Sequence, residues 1–205
     1  MEKKKIIKLG KKLYKKNLTI ATSGNLSIKT DKGILITTSG SSLGNLDEKD
    51  VVLIDFEGNE QENKKASSEK MLHVEIYKQR PEIRSIIHTH PVYLTSFAAC
   101  HKTLKEPIMS ENILYFEEIP VAEYAMPSSK KLVENTVKYL KDKDVVMMAN
   151  HGAIAIADTI EKAFAKLETA EYYAHVSLNT IFLGGAKMLS DKDINDLIEL
   201  KKGLS

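Results

Sequence analysis

The chain has 205 residues, of which 42% are hydrophobic and 28% are charged, a composition that excludes a disordered or fibrous protein. Its 30 Lys and Arg residues are nearly balanced by 28 Asp and Glu residues, and a formal net charge of +2 argues against a dedicated nucleic-acid-binding protein. No apolar stretch approaches the roughly 18 residues that a membrane span requires, so we expect no membrane partner. We predict one domain over residues 1–205.

Cys100 is the only cysteine of the chain. A single cysteine excludes an intrachain disulfide and fits a reducing compartment. The lysine-rich start is not followed by the apolar core of a signal peptide, so we expect a cytoplasmic protein. We expect Cys100 itself to be a small core residue of a helix.

The first sixteen residues, MEKKKIIKLGKKLYKK, contain eight lysines. Ile6, Ile7, Leu9 and Leu13 recur between these lysines at helical spacing. This pattern favours an amphipathic helix with a solvated lysine face over an arm that binds polyanions.

The remaining elements follow in chain order. Residues 19–30, 33–40 and 51–59 are rich in Ile, Leu, Val and Thr and are predicted as strands. After a polar loop over 60–68, in which Ser67 or Ser68 would cap the next helix, we predict a helix over 69–80, a strand over 83–88 and a helix over 91–100. Residues 101–118 show no clear pattern. Beyond them we predict strands over 119–125, 144–149 and 153–157 and helices over 128–143, 159–184 and 190–203.

Strands and helices are interspersed without repeats, which predicts an α/β fold with helices packed against a sheet. Short turns join the early strands, and short turns require antiparallel pairing. A purely parallel, doubly wound sheet is therefore not expected.

His88 and His90 stand two residues apart at the end of the apolar run IRSIIH. Residues two apart on a strand point to the same side of the sheet, so both imidazoles could bind one metal ion. Two strand-end histidines bonded to backbone groups are an equally acceptable reading of this motif alone.

His151 supplies a third imidazole. It follows another apolar strand, DVVMMA, and precedes Gly152 at a turn. If the two strands are close in the sheet, the three histidines meet at one cleft, and three imidazoles with one open position form a typical catalytic zinc site.

Glu69 follows Ser67 and Ser68 at the start of a predicted helix. Backbone N–H groups at a helix start favour an anion such as phosphate. Asn25 and Ser39, in the small-residue loops TSGN and TSGS, offer further donors. Glu69 alone could equally be a first-turn glutamate that complements the helix dipole.

The other histidines have structural interpretations. His73 stands four residues after Glu69 and is expected to pair with it on one helix face. His175 stands four residues after Glu171 and is expected to form a similar surface pair. His101 lies near a helix end, where a positive charge is favourable.

The motifs TSGN, TSG, SSE, HTHP and NHG, in this order over residues 22–152, resemble those of the class II aldolase family of sugar-phosphate enzymes. The likeness continues through residues 161–194 and so covers nearly the whole chain. The family also contains L-ribulose-5-phosphate 4-epimerases and methylthioribulose-1-phosphate dehydratases.

The resemblance implies one Zn²⁺ per subunit, held by His88, His90 and His151, and it implies that Glu69 is the catalytic acid/base. It further implies that the substrate phosphate is bound by Gly24, Asn25, Ser39, Gly40, Ser67 and Ser68.

The resemblance also implies a three-layer α/β/α sandwich around a largely antiparallel sheet, assembled as a homotetramer with active sites between subunits. The implied activity is that of a lyase: reversible cleavage of a ketose 1-phosphate, similar to L-fuculose 1-phosphate, to dihydroxyacetone phosphate and an aldehyde. The small-molecule partner is then a sugar phosphate.

The sequence departs from the fuculose enzymes at the positions of two catalytic tyrosines, one of which lies in a C-terminal tail where this chain reads KKGLS. Those enzymes have a catalytic tyrosine in the segment that matches residues 107–113, which here reads PIMSENI. Tyr115, Tyr124 or a residue of a neighbouring subunit are the alternatives for the proton donor.

Three alternatives to an aldolase stay open. Dehydration of methylthioribulose 1-phosphate would use the same motifs. A non-catalytic interaction module has the same fold in adducin-type cytoskeletal proteins, although such a module needs neither the three histidines nor Glu69. A zinc hydrolase would need the histidines but not the phosphate-type loops.

Overall fold

The computed structural model describes residues 1–61 and 63–203. Its strands are β1 (Asn25–Thr30), β2 (Gly33–Thr37), β3 (Val51–Ile54), β4 (Ser85–Thr89), β5 (Val121–Ala122), β6 (Val145–Met148) and β7 (Gly152–Ala157). Its α-helices are α1 (Glu2–Lys15), α2 (Lys70–Gln79), α3 (Val92–Ala99), α4 (Ser110–Tyr115), α5 (Lys130–Val137), α6 (Ile160–Phe182) and α7 (Asp191–Gly203). Short 3₁₀ turns at Leu43–Asn45 and Glu48–Asp50 connect β2 to β3.

All of these strands belong to one sheet with the order β3-β2-β1-β4-β7-β6-β5. Neighbouring strands are antiparallel except for β5 and β6, which are parallel. The central strand β4 is flanked by β1 and β7. Because β1 and β4 are antiparallel, the segment that precedes β1 and the segment that follows β4 lie at the same end of the strands.

Alternating residues of the strands face two separate apolar cores. Ile87 of β4 packs in a core with residues of α1, α3 and α6, whereas its neighbour Ile86 packs in a core with residues of α2 and α5. Because helices cover both faces of a largely antiparallel sheet, the predicted three-layer α/β/α architecture is confirmed. The prediction of a single domain over residues 1–205 stays a prediction.

The lysine-rich start forms the amphipathic helix α1, as expected. Ile6, Leu9 and Leu13 are buried, and the lysines lie between them on the other faces. The ammonium of Lys12 lies 3.8 Å from the centre of the Phe164 ring, so part of the lysine face of α1 also contacts α6.

The first predicted strand is six residues too long at its start. Residues 19–24 form a turn, in which the Thr19 hydroxyl donates to the Ser23 carbonyl at 2.8 Å and Ala21 has a left-handed φ of 50°. These local hydrogen bonds compete with strand pairing, as Ser and Thr side chains commonly do. The strand β1 therefore begins at Asn25.

Two other expectations were wrong. Cys100 is exposed and not in the core, because it is the C-cap of α3 and the buried face of that helix consists of Leu94 and Ala98. Neither Ser67 nor Ser68 is the N-cap of α2; Glu69 occupies that position, without a side-chain cap.

Candidate active site

His88 lies near the carboxyl end of the central strand β4, which stops at Thr89, and Pro91 is the N-cap of the following helix α3. His88 is buried, and its Nδ1 lies 3.0 Å from the carbonyl oxygen of Ala153 on β7. Since a carbonyl only accepts, Nδ1 carries a hydrogen, and Nε2 is the nitrogen directed at Glu69 and His90. His90 lies just beyond the strand, with its Nε2 3.3 Å from that of His88.

His151 lies in the tight turn between β6 and β7. Asn150 has a left-handed φ of 54°, and the backbone N–H of His151 donates to the Met148 carbonyl at 3.0 Å. Because β7 pairs with β4, this turn brings His151 beside His88 and His90. The three ring centroids are 4.8 to 5.1 Å apart, and one nitrogen from each ring lies within 4.8 Å of the others.

Gly152 is required for this close approach. A Cβ atom at this position would lie 2.5 Å from Cδ2 of His90 and 2.6 Å from the carbonyl oxygen of Thr89. Real Cβ atoms do not approach other atoms so closely. The glycine after His151 therefore leaves space for the ring of His90.

Glu69, at the start of α2, extends its carboxylate into the group of imidazoles. Its Oε2 lies 3.2 Å from Nε2 of His88, and its Oε1 lies 3.6 Å from Nε2 of His151. Asn25, the first residue of β1, donates from Nδ2 to Oε2 at 2.9 Å. Oε1 is buried and has no hydrogen-bond partner among the described residues.

The protonation states follow from burial and neighbouring charge. Burial raises the pKa of Glu69, but the charge and hydrogen bond of His88 outweigh it, so the pKa stays well below its usual range. Burial, reinforced by His88, lowers the pKa of His90 to about 3 and that of His151 to about 4. Burial also lowers the pKa of His88, but the Glu69 carboxylate outweighs it and raises the pKa overall.

This donor set fits a zinc ion. Imidazole nitrogen is a preferred zinc ligand and binds in its neutral form, which burial favours for His90 and His151. The Nδ1–H of His88 is held by a backbone carbonyl, which is the usual support of a metal-binding histidine. Nδ1 of His151 is buried without a hydrogen-bond partner among the described residues.

The two loops predicted to bind phosphate lie side by side. Thr38 pairs with Ala66 in an isolated antiparallel bridge, and the Ser39 N–H donates to the Lys65 carbonyl at 3.1 Å. The 39–40 and 67–68 segments are therefore neighbours. Ser39, Gly40 and Ser68 are exposed, and Gly40 has a left-handed φ of 76° with no atom within 4 Å of a would-be Cβ.

A shallow cavity of about 340 Å³ opens at these loops. It is lined by Thr38, Ser39, Gly40, Ser41, Asp50, Lys64 and Lys65. A larger cavity of about 620 Å³ lies between α2 and α5 and contains none of the predicted site residues.

The other predicted phosphate-binding residues lie closer to the histidines. Gly24 has a left-handed φ of 83°, and a Cβ there would lie 2.7 Å from the His88 carbonyl oxygen. Ser67 is buried, and its Oγ accepts a 3.3 Å hydrogen bond from the Glu69 N–H. Asn25 is also buried, with its side chain between Glu69 and His73.

The candidate tyrosines lie outside this group. Tyr115 ends α4 and Tyr124 follows β5, and their side chains are 52% and 55% exposed. Neither forms a hydrogen bond to Glu69 or to the histidines within the described part of the chain.

The three remaining histidines were only partly understood from the sequence. His73 does not pair with Glu69 directly, because Asn25 lies between them and contacts both side chains. His101 bonds Oδ1 of Asn150, beside the His151 turn, at 2.7 Å.

His175 stacks on Tyr93 with ring centroids 3.8 Å apart and interacts electrostatically with Glu171, without a hydrogen bond between the two side chains among the described residues. The carboxylate of Glu171 instead accepts from the backbone N–H groups of Tyr93 and Leu94 at 2.9 and 2.8 Å. Glu171 therefore holds the start of α3, the helix that follows the two histidines of β4.

Comparison with known proteins shows the family to which this chain belongs and the fold that it shares. Residues 4–178 match the family model described as "Class II Aldolase and Adducin N-terminal domain". The L-fuculose phosphate aldolase of Methanocaldococcus jannaschii is 35% identical over 178 residues, which are 87% of this chain and 96% of that protein. The 3-oxo-tetronate 4-phosphate decarboxylase of Haemophilus influenzae is 30% identical over 96% of this chain and 95% of its own.

A solved structure named L-fuculose 1-phosphate aldolase superposes with a TM-score of 0.90 at 33% identity, covering 98% of this chain and 95% of that one. The chain therefore belongs to the class II aldolase and adducin N-terminal domain family. The predictions of this family, of its fold and of an enzyme of the lyase class are confirmed.

Within residues 1–61 and 63–203, no helix has both the length and the apolar character needed to cross a bilayer.

Proposed function

We propose that this protein is a zinc-dependent class II aldolase that cleaves a ketose 1-phosphate, similar to L-fuculose 1-phosphate, reversibly to dihydroxyacetone phosphate and an aldehyde. The observation that carries the proposal is the meeting of three imidazoles and one carboxylate in a single cluster, with Glu69 oxygens 3.2 and 3.6 Å from two of the imidazoles. The named relatives support the substrate class.

His88, His90 and His151 would hold one zinc ion per subunit through their imidazole nitrogens. When bound, zinc acts as a Lewis acid that withdraws electron density from the substrate oxygens and so lowers the barrier to breaking the carbon–carbon bond.

Glu69 would move the proton on and off the carbon at which the bond breaks. Its Oε2 is held by Asn25, whereas Oε1 is free of hydrogen bonds among the described residues, so Oε1 is the oxygen that exchanges the proton. Because the carboxylate is only 8% exposed, bulk water does not compete for it.

The phosphate group would be bound by backbone N–H groups and side-chain donors of Gly24, Asn25, Ser39, Gly40, Ser67 and Ser68. Ser39 and Ser67 would use their hydroxyls, because their N–H groups donate to the carbonyls of Lys65 and Thr37. An amide nitrogen carries two hydrogens, so the Asn25 side chain could contact Glu69 and the phosphate together. Lys64 is paired with Asp50 at 3.5 Å, so Lys65, which lines the cavity beside Ser39 and Gly40, would supply the positive charge that favours a dianion there.

A substrate panel tests the reaction. L-Fuculose 1-phosphate, other ketose 1-phosphates and methylthioribulose 1-phosphate are incubated with the zinc-loaded protein, and dihydroxyacetone phosphate is measured with a coupled dehydrogenase. We expect dihydroxyacetone phosphate from at least one ketose 1-phosphate, and no inactivation by borohydride, because no imine forms. Loss of water from methylthioribulose 1-phosphate without cleavage of any ketose would refute the aldolase in favour of the dehydratase.

Glu69→Gln tests the acid/base. It removes the ionisable group but keeps the size of the side chain and one oxygen that can accept from Asn25. We expect kcat to fall by about 10²- to 10⁴-fold with zinc content unchanged. Glu75→Gln, on the same helix and bonded only to Gln79 in the described structure, is the control and keeps full activity.

A second reaction is favoured by one relative. The decarboxylase of Haemophilus influenzae is similar over 96% of this chain. Decarboxylation of a 3-oxo acid also leaves negative charge beside a carbonyl, so the same Lewis acid and proton carrier would serve. Release of carbon dioxide from 3-oxo-tetronate 4-phosphate, without cleavage of ketose 1-phosphates, would establish this reaction instead.

We also propose that the protein forms a cytoplasmic homotetramer with active sites between subunits. The proton donor is then Tyr115, Tyr124 or a residue of a neighbouring subunit. Light scattering coupled to size-exclusion chromatography measures the assembly directly. A purified monomer with full aldolase activity would contradict this part of the proposal.

A further inference from the structure

A row of polar side chains crosses the otherwise apolar core between β1 and α2. Leu26 and Ile28 of β1 face the opposite core, so the alternating residues Asn25 and Ser27 point towards α2. All of the residues in this row are at most 8% exposed. Burial of a polar group costs free energy unless the group forms hydrogen bonds, so the partners of each side chain in this row must be identified.

On the α2 side, the row consists of Glu69, His73 and Tyr77, which are spaced by four residues and therefore share one helix face. Four residues of an α-helix rise about 6 Å, and two residues of a strand rise about 6.6 Å. The spacing of Asn25 and Ser27 thus matches that of the helix residues, and each strand side chain lies between two helix side chains.

The hydrogen bonds of this row form one continuous chain. Asn25 Nδ2 donates to Glu69 Oε2 at 2.9 Å, and Asn25 Oδ1 lies 2.5 Å from His73 Nε2. His73 Nδ1 lies 2.7 Å from Ser27 Oγ, which lies 2.8 Å from the hydroxyl oxygen of Tyr77.

The position of each hydrogen follows from the carboxylate. Ionised Glu69 only accepts, so the Asn25 NH₂ faces Glu69 and its oxygen faces His73. His73 must then donate from Nε2. Burial lowers the pKa of His73 to about 3, so the ring is neutral and Nδ1 accepts the Ser27 hydrogen. The only hydrogen of Ser27 is then used, so Tyr77 donates to Ser27.

We propose that His73 is a positioning residue that fixes the Glu69 carboxylate through Asn25, and that Ser27 and Tyr77 hold His73 in its Nε2–H form. The chain keeps Oε2 bonded to Asn25 and leaves Oε1 directed at the substrate. This inference rests on the proposed acid/base role of Glu69.

Two variants that differ by one methylene separate this role from a general structural one. In His73→Gln the amide nitrogen reaches the place of Nε2 and donates to Asn25. In His73→Asn the amide reaches only the place of Nδ1, so it bonds Ser27 and leaves Asn25 free to turn. Both side chains are neutral, polar amides.

The assay is exchange of the carbon-bound hydrogen of dihydroxyacetone phosphate with D₂O, together with cleavage kinetics. We expect His73→Gln to keep kcat within about threefold, and His73→Asn to lose about 10- to 100-fold in kcat with KM changed by less than about threefold. Zinc content stays at one per chain in both. Equal losses in the two variants, or full activity of His73→Asn, would overturn the proposal.

Two further measurements do not depend on activity, and the first of them needs no variant. Long-range ¹H–¹⁵N spectra of the labelled wild-type protein should show His73 as the neutral Nε2–H tautomer; the Nδ1–H tautomer would overturn the proposal. Crystal structures without substrate should show the Glu69 carboxylate unmoved in His73→Gln and displaced in His73→Asn; an unmoved carboxylate in His73→Asn would also overturn it. If the wild-type protein neither cleaves nor exchanges any substrate, the proposed function is wrong. In that case the tautomer of His73 and the position of the Glu69 carboxylate in the two variants still decide the positioning role.

Discussion

Substitution of Gly152 by alanine tests whether the close packing of the three histidines sets the affinity for metal. Gly152 does not have a left-handed φ, so its backbone accepts alanine without strain. The added Cβ, however, would lie 2.5 Å from Cδ2 of His90 and 2.6 Å from the Thr89 carbonyl oxygen. Ordinary contacts between carbon atoms are about 3.5 to 4.0 Å, so the His90 ring must move by about 1 Å.

The size of the effect follows from this displacement. Thr89 is paired with Ala153 within the sheet, so its carbonyl has little freedom and most of the adjustment falls on His90. Overpacking of this kind costs about 1 to 3 kcal/mol, and about 1.4 kcal/mol corresponds to a tenfold change in affinity. We therefore expect Gly152→Ala to weaken zinc binding by about 10- to 100-fold.

Competition with a chromophoric chelator measures this affinity. Thermal unfolding of the metal-free protein measures how far the substitution also lowers the stability of the fold. Gly203→Ala is the control, because a Cβ there meets nothing within 4 Å. A Gly152→Ala protein that binds zinc as tightly as the wild type would refute the reasoning that the histidines bind one ion in this arrangement.

Three further predictions concern stability. Between pH 7.5 and pH 5.5, the free energy of unfolding of the wild type should fall by about 1.4 kcal/mol more than that of His73→Gln. The reason is that His73 in the unfolded chain takes up a proton near its ordinary pKa of 6.5. The native ring, with its pKa lowered to about 3, does not. Denaturant unfolding at both pH values measures this difference, and an equal change in unfolding free energy for the two proteins would contradict the prediction. Thr159→Ala removes the hydroxyl that accepts from the Lys162 N–H at the start of α6 and should cost about 1 kcal/mol without changing zinc affinity; an unchanged melting temperature would contradict it. Zinc should raise the melting temperature of the wild type in proportion to the logarithm of its concentration, which calorimetry would show, and Glu69→Gln should keep this response.

The general architecture could be predicted from the sequence because the signals are local. The apolar runs that became β4, β6 and β7 and the amphipathic pattern of α6 each predict one element without reference to the rest of the chain. Short connections then require antiparallel pairing. The helix α4 and the short strand β5 were missed or misjudged in length, because six- and two-residue elements are stabilised by the surrounding packing and carry no periodic pattern of their own.

The candidate site was predicted in part for the same reason. His88, His90 and His151 stand at the ends of apolar strands, and a strand end is visible in the sequence. Their meeting depends on the pairing of β4 with β7, which the sequence allowed but did not require.

The role of His73 could not be predicted from its spacing to Glu69 alone. Its partner Asn25 is 48 residues away, and their contact depends on how α2 lies across β1. The alternation Asn25-x-Ser27, together with Glu69, His73 and Tyr77 at four-residue intervals, is the signal that could have indicated the contact. Local helix pairing was the nearer interpretation and was wrong.

The central claim is that the three histidines and Glu69 form a metal-dependent lyase site. The most direct test is the rate of dihydroxyacetone phosphate release from the best ketose 1-phosphate, measured before and after complete removal of metal and again after addition of one zinc ion per chain. We predict that activity is lost on removal and restored by zinc in the wild type, but not in a variant with His88, His90 or His151 replaced by alanine. Release that continues at the original rate in the metal-free protein would contradict the account.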